Sequence, residues 1–166
     1  MKQFAIGDTV SYGSNGICRI TDICELPGTG RTYYVLEQNR VETSRLYVPI
    51  DSEKLLEKLR HVLTHEQIDA MLADVRGRQV DWIDNRAERQ SRYTEIARGG
   101  ITGELLLLIH RLYLRRAELA ARGRRLPEAD LSLLKLAESL VNEEFSQALG
   151  IPPDAVADYI RAKLEE

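Results

Sequence analysis

The chain has 166 residues, 43% of them hydrophobic, with 23 Lys and Arg against 26 Asp and Glu for a net charge of −3. That is enough apolar material for one domain or two small ones, while the longest apolar run, Leu105 to Ile109, is far too short to span a bilayer. Asp8 interrupts the N-terminus before a signal-like core can form, so a cytoplasmic location without membrane association is expected.

Residues 1 to about 50 read as short strands. Gly7-Asp8 turns into Thr9-Val10-Ser11-Tyr12, Gly13-Ser14-Asn15-Gly16 turns again, and Ile17 to Ile23 alternates imperfectly between apolar and polar. Pro27-Gly28-Thr29-Gly30 predicts a hairpin into Thr32-Tyr33-Tyr34-Val35-Leu36, and Leu46-Tyr47-Val48-Pro49-Ile50 is a further β run. So few strands, so closely spaced, point to a small SH3-like or Tudor-like barrel, a type that commonly binds other chains. Cys18 and Cys24 lack the Cys-x-x-Cys spacing of a metal knuckle or redox motif and are expected to be reduced and structural.

From Ser52 the period changes. Leu55, Leu56, Leu59, Val62 and Leu63 fit either a last strand and turn or a helix already begun. Thr64-His65-Glu66-Gln67 is a capping box, with Ile68, Met71, Leu72 and Val75 on one face of the helix it opens and Gly77 at its end. Asp81 is the expected cap of a second helix running to Arg98 before Gly99-Gly100. Thr102 is the expected cap of a third, with Leu105, Leu108, Ile109, Leu112 and Tyr113 turned inward. Pro127, Glu128 and Asp130 open a fourth, carrying Leu131, Leu134, Leu136, Leu140, Val141, Phe145 and Leu149 as far as Gly150, and Ile151-Pro152-Pro153-Asp154 leads into a short last one. The expected fold is therefore α+β: a small N-terminal Tudor/SH3-like β barrel over residues 1–60 and an all-α helical domain over 61–166.

Charge is unevenly spread. Residues 81–126 hold ten arginines, no lysine and six acids, whereas residues 127–166 hold three cations and nine acids. Arginine's planar fork suits phosphate oxygens and base edges, so an all-arginine zone hints at nucleic acid. On the expected helix Trp82, Arg86, Arg89 and Tyr93 would share one stripe, in which guanidinium groups neutralise phosphates and a flat ring wedges at an unstacked step. Spacing alone favours the commoner arrangement, a core aromatic beside a solvated face paired with Glu88 and Glu95. A second cationic group, Arg111, Arg115, Arg116, Arg122, Arg124 and Arg125, exceeds what complementing a helix C-terminus requires.

Catalysis finds little support. His61 and His65 are spaced as two ligands on a helix would be, but the Thr64 cap falls between them and no third ligand is indicated, so no metal or other cofactor is expected. His110 reads as a partly buried histidine of the Leu-rich helix. There is no Gly-x-Ser-x-Gly, no phosphate-binding glycine loop and no carboxylate pair set apart from ordinary helix surface, so no catalytic residue is assigned.

The opening Phe4-x-Ile6-Gly7-Asp8-Thr9-Val10-x-Tyr12, followed by Gly16, Tyr33-Tyr34-Val35-Leu36 and Val48-Pro49, resembles the CarD/CdnL family of bacterial transcription regulators. That family shares its N-terminal module with the transcription-repair coupling factor. The helical half is also similar, in Gly99-Gly100 before Glu104-Leu105, Ile109-x-x-Leu112-Tyr113, and Ala137-Glu138-x-Leu140 with Glu143 and Glu144. The resemblance implies a barrel docking on the RNA polymerase β subunit and a helical domain touching promoter DNA at the upstream edge of the transcription bubble, which alters open-complex lifetime without chemistry. It suggests Tyr34, Arg45, Tyr47 and Val48 as polymerase-facing and Trp82, Arg86, Arg89, Arg115 and Arg116 as DNA-facing, in a protein expected to be a monomer. The competing reading is a protein-only adaptor whose helical domain binds a partner protein. A metal-dependent enzyme using His61 and His65 is a third.

Overall fold

Residues 3–38 and 44–165 are described by a computed structural model of the chain. Gly7, at φ 97°, makes the turn that admits β1 (Thr9–Tyr12), and Asp8 secures it by accepting the Ala5 N–H at 2.9 Å. A short 3₁₀ turn leads to β2 (Ile17–Glu25), and the predicted Pro27–Gly30 hairpin joins β2 to β3 (Thr32–Gln38). β4 (Arg45–Pro49) follows. The stretch left open between helix and strand contains both: Ser52 caps a one-turn helix α1 (Glu53–Leu56), and β5 (Leu59–His61) returns to pair with β1.

The five strands form one antiparallel sheet in the order β4-β3-β2-β1-β5, the barrel-like half of an α+β architecture. The imperfect alternation of β2 has a structural cause. Its register against β3 shifts between Ile20 and Asp22, and the extra residue, Thr21, reverses the parity of everything after it. Ile20 and Ile23 therefore share a face, opposite Leu36 and Tyr34; Ile20 is fully buried there, and Ile23, towards the end of the strand, is exposed. Phe4, Val10, Cys18, Ile20, Tyr34, Leu36, Val48, Leu56 and Leu59 build the core of this half.

α2 (His65–Val75) starts at the predicted capping box. Thr64 Oγ1 accepts the Gln67 N–H at 3.1 Å and Gln67 Oε1 accepts the Thr64 N–H at 2.9 Å, meeting two donors that the helix itself leaves unpaired. Thr64→Ala is expected to lower stability by about 1 kcal/mol, readable as a shift in the urea midpoint at unchanged slope.

Two predicted caps move. α3 runs Arg86–Gly99 with Asn85, not Asp81, at its N-cap, where Asn85 Oδ1 accepts the Glu88 N–H at 2.9 Å. The chain stays non-helical through residues 81–84 because Trp82 and Ile83 pack on the helical core and the carbonyls of Ile83 and Asp84 are taken by Arg89. Likewise α4 (Thr102–Ala120) is capped at Ile101 without a side-chain bond. The Thr102 hydroxyl instead donates to buried Glu144 at 2.8 Å. On α4 the inward stripe is Leu105, Leu108 and Leu112, with Ile109 half-buried; Tyr113, expected inward, is 45% exposed, and His110, expected partly buried, is exposed.

α5 (Glu128–Leu149) begins after Pro127 and ends at left-handed Gly150, after which a 3₁₀ turn and α6 (Val156–Glu165) close the helical half. Its core joins Ile68, Leu72, Tyr93, Ile96, Leu108, Leu112, Leu134, Ala137, Val141, Phe145 and Val156. Packing divides the chain into two units, Met1–Val62 and Leu63–Glu166. Among the described residues no helix is long and apolar enough to cross a membrane.

Candidate polymerase and nucleic-acid interfaces

In the N-terminal unit β4 stands at one end of the strand order, so one side of its backbone has no strand partner among the described residues. Its register against β3 is uninterrupted, from Tyr33↔Pro49 through Val35↔Tyr47 to Glu37↔Arg45. Directly opposed residues share a face, which places Arg45 and Tyr47 on the outer side with Glu37 and Tyr33. Tyr47 is 44% exposed, meets the Tyr33 ring edge-on at 6.5 Å, and is followed along the face by the Arg45–Glu37 ion pair at 3.5 Å.

Tyr34 and Val48, expected on the polymerase side, face the other way. Val48 has no exposed surface, and Tyr34, at 5%, sits edge-on to Phe4 with its hydroxyl accepting the Phe4 N–H at 3.4 Å. Alternation is the reason: a strand that buries Leu36 must also bury Tyr34 and present Tyr33. Tyr33, half-buried, is the tyrosine of the pair that shares the face of Tyr47, and the parity of Leu36 was the signal for that facing.

In the helical unit Trp82 lies on the non-helical segment before α3, so the stripe of Trp82, Arg86, Arg89 and Tyr93 does not exist as a helix face. What forms instead is a cluster. The half-buried indole has the Arg89 guanidinium 4.5 Å and the Arg115 guanidinium 5.0 Å from its ring centroid, and meets the buried Tyr93 ring edge-on at 6.2 Å. These are cation–π distances. The Tyr93 hydroxyl donates to the Asp81 carbonyl at 3.1 Å, and burial pushes its phenol above the ordinary value.

The two cations differ in how they are held. Arg89 is buried, and its Nε and Nη2 donate to Asp130 on the first turn of α5 at 3.0 and 3.1 Å. Its Nη1 donates to the Ile83 and Asp84 carbonyls at 3.0 and 3.2 Å. Arg89 is thus corrected from a DNA-facing residue to an internal strut. Its guanidinium is fully occupied, and the Asp130 carboxylate it meets is favoured by the α5 N-terminus. Arg115 is half-buried and bonds Glu118 at 3.2 Å through Nη1, while Arg111 bonds the other carboxylate oxygen at 3.3 Å. The Arg115 hydrogen bond, helped by Arg111, holds the Glu118 carboxyl below the usual range.

Arg86 and Arg116 are exposed, but Arg116 leans over Tyr113 at 5.9 Å and so belongs to another part of α4 than Arg115. Arg122, Arg124 and Arg125, in the connection between α4 and α5, are exposed and carry no ion pair among the described residues. His61 and His65 are each engaged within their own unit: the His61 ring lies 4.8 Å from Phe4, and His65 Nε2 is 2.9 Å from the Tyr159 hydroxyl and 3.4 Å from Asp69. Among the described residues no three His, Cys, Asp or Glu side chains are grouped as a metal site, and both cysteines are free thiols.

Comparison with known proteins bears on the N-terminal unit. No curated protein matches the chain. Residues 4–62 match the CarD-like/TRCF RID domain family, a span that takes in all five strands and the outer face of β4. Domains of this family interact with the RNA polymerase β subunit. With the Gly7-Asp8 turn, the tyrosine-bearing β3 and the Val48-Pro49 edge strand all inside that match, the N-terminal unit is a domain of the CarD-like/TRCF RID family.

Proposed function

We propose that this protein is a transcription regulator that docks on the RNA polymerase β subunit through the outer face and free edge of β4 and grips promoter DNA with its helical unit. The site on DNA is the upstream edge of the transcription bubble, and the consequence is a changed open-complex lifetime. The observation that carries the reading is Trp82: a half-buried aromatic ring flanked by guanidinium groups, in a segment with an excess of arginine, on a chain that holds a polymerase-interaction domain. Trp82 would stack at the unstacked step, with Arg86, Arg115 and Arg116 on phosphates. No chemistry is required. A factor that binds the open complex better than the closed one shifts their balance by its differential affinity, and tethering through the sheet raises the effective concentration of a weak DNA contact.

Aromatic–base stacking contributes about 1–3 kcal/mol, so Trp82→Ala is expected to change open-complex lifetime by about fivefold or more in a promoter dissociation assay. Tyr47→Ala should fold normally and weaken co-elution with the β-subunit lobe. An unchanged lifetime with Trp82→Ala would refute the DNA assignment. The adaptor reading draws on the internal pairing of Arg89, Arg111 and Arg115, which removes three arginines from a freely exposed basic face. It predicts no salt-dependent binding to duplex DNA, because a protein interface need not show the steep slope of counterion release.

A further inference from the structure

The environment of Trp82 contains one cation that cannot move and one that can. Arg89 donates to both Asp130 oxygens and two backbone carbonyls in a buried setting, so displacing it would strand a charge from which water is excluded. Arg115 has one ion-pair partner, the half-exposed Glu118 on the next turn of α4, and its Nε is buried with no hydrogen-bond partner among the described residues. A nucleic acid that stacks a base on Trp82 must take up space over the ring. The guanidinium that can leave is Arg115, and phosphate is a better acceptor for its fork than a solvated carboxylate shared with Arg111.

We propose that Glu118 is a positioning residue that holds Arg115 over the Trp82 ring in the free protein, and that nucleic acid replaces this arrangement, the base taking the ring and a phosphate taking Arg115. The inference rests on the DNA reading above and adds to it a residue of the opposite charge. Glu118 opposes binding although it sits among the cations. The Glu118 carboxylate faces both Arg111 and Arg115, so its removal frees two guanidinium groups at once while leaving the Arg89–Asp130 strut intact.

Trp82 is the chain's single tryptophan, so its fluorescence reports this ring alone. The test is acrylamide quenching of the protein without DNA for wild type and Glu118→Gln, followed by titration of a labelled fork-junction DNA, read from the label, with wild type, Glu118→Gln, Trp82→Ala and Glu118→Gln/Trp82→Ala. Glu88→Gln serves as the charge control, because Glu88 is an exposed acid on the first turn of α3. The expected result is a quenching constant raised about twofold by Glu118→Gln and not by Glu88→Gln, with DNA affinity raised severalfold only when Trp82 is present. Unchanged quenching in Glu118→Gln overturns the proposal, as does an affinity gain that persists in the double variant, since that gain would be one of net charge. If Trp82→Ala alone leaves DNA binding at the wild-type value, the DNA reading itself fails; the quenching arm, measured without DNA, separates that failure from a failure of the Glu118 restraint.

Discussion

Asp130→Ala is expected to destabilise the protein by about 3–5 kcal/mol, measured as the loss of unfolding free energy in urea, because it leaves the buried Arg89 guanidinium without its carboxylate. The figure is large for a polar substitution because neither member of the pair can recover water. Arg89 is 5% exposed and Asp130 not at all. Removing both charges together, as Arg89→Met/Asp130→Leu, should recover most of the loss, since the penalty lies in the orphaned charge more than in the missing bond. A double variant as unstable as Asp130→Ala would mean that the contacts of Arg89 to Ile83, Asp84 and Trp82 carry the effect instead.

Tyr93→Ala should cost about 3–5 kcal/mol, by removing a fully buried ring from the centre of the helical core and leaving a cavity. Tyr93→Phe separates the ring from its hydroxyl. That bond goes to the carbonyl of exposed Asp81, which can turn to water, so the expected loss is only about 0.5–1.5 kcal/mol. The Phe variant should nevertheless shift Trp82 emission, because the hydroxyl helps fix the segment on which the indole is carried. Tyr93→Phe with wild-type stability and wild-type emission would show that the segment is held by Arg89 alone.

Much of the architecture was legible because it depends on neighbours a few residues apart. The capping box at Thr64 and Gln67, the hairpin at Pro27–Gly30, the start of α5 after Pro127 and its end at Gly150 all formed where their residues indicate. The same locality explains the errors. Asp81 and Asn85 are both competent caps, and Glu88, three residues after Asn85, was the local signal for the second; what holds residues 81–84 out of the helix is Arg89, which reaches Asp130, 41 residues away, and takes the carbonyls of Ile83 and Asp84. Thr102 lost its capping role in a similar way, to Glu144 at a separation of 42 residues.

The candidate sites divide along the same line. By itself the sequence determined the strand period, the concentration of arginine around Trp82, and the motifs of a polymerase-interaction domain. Only the tertiary structure decided which tyrosine of Tyr33-Tyr34 faces outward, which arginine is a strut and which is free to move, and that Trp82 stands before a helix instead of on it. Period and composition are properties of the chain. Facing and pairing are set by which groups lose water when distant segments meet, and that cost does not exist until the sheet has a core and α5 has brought Asp130 to Arg89.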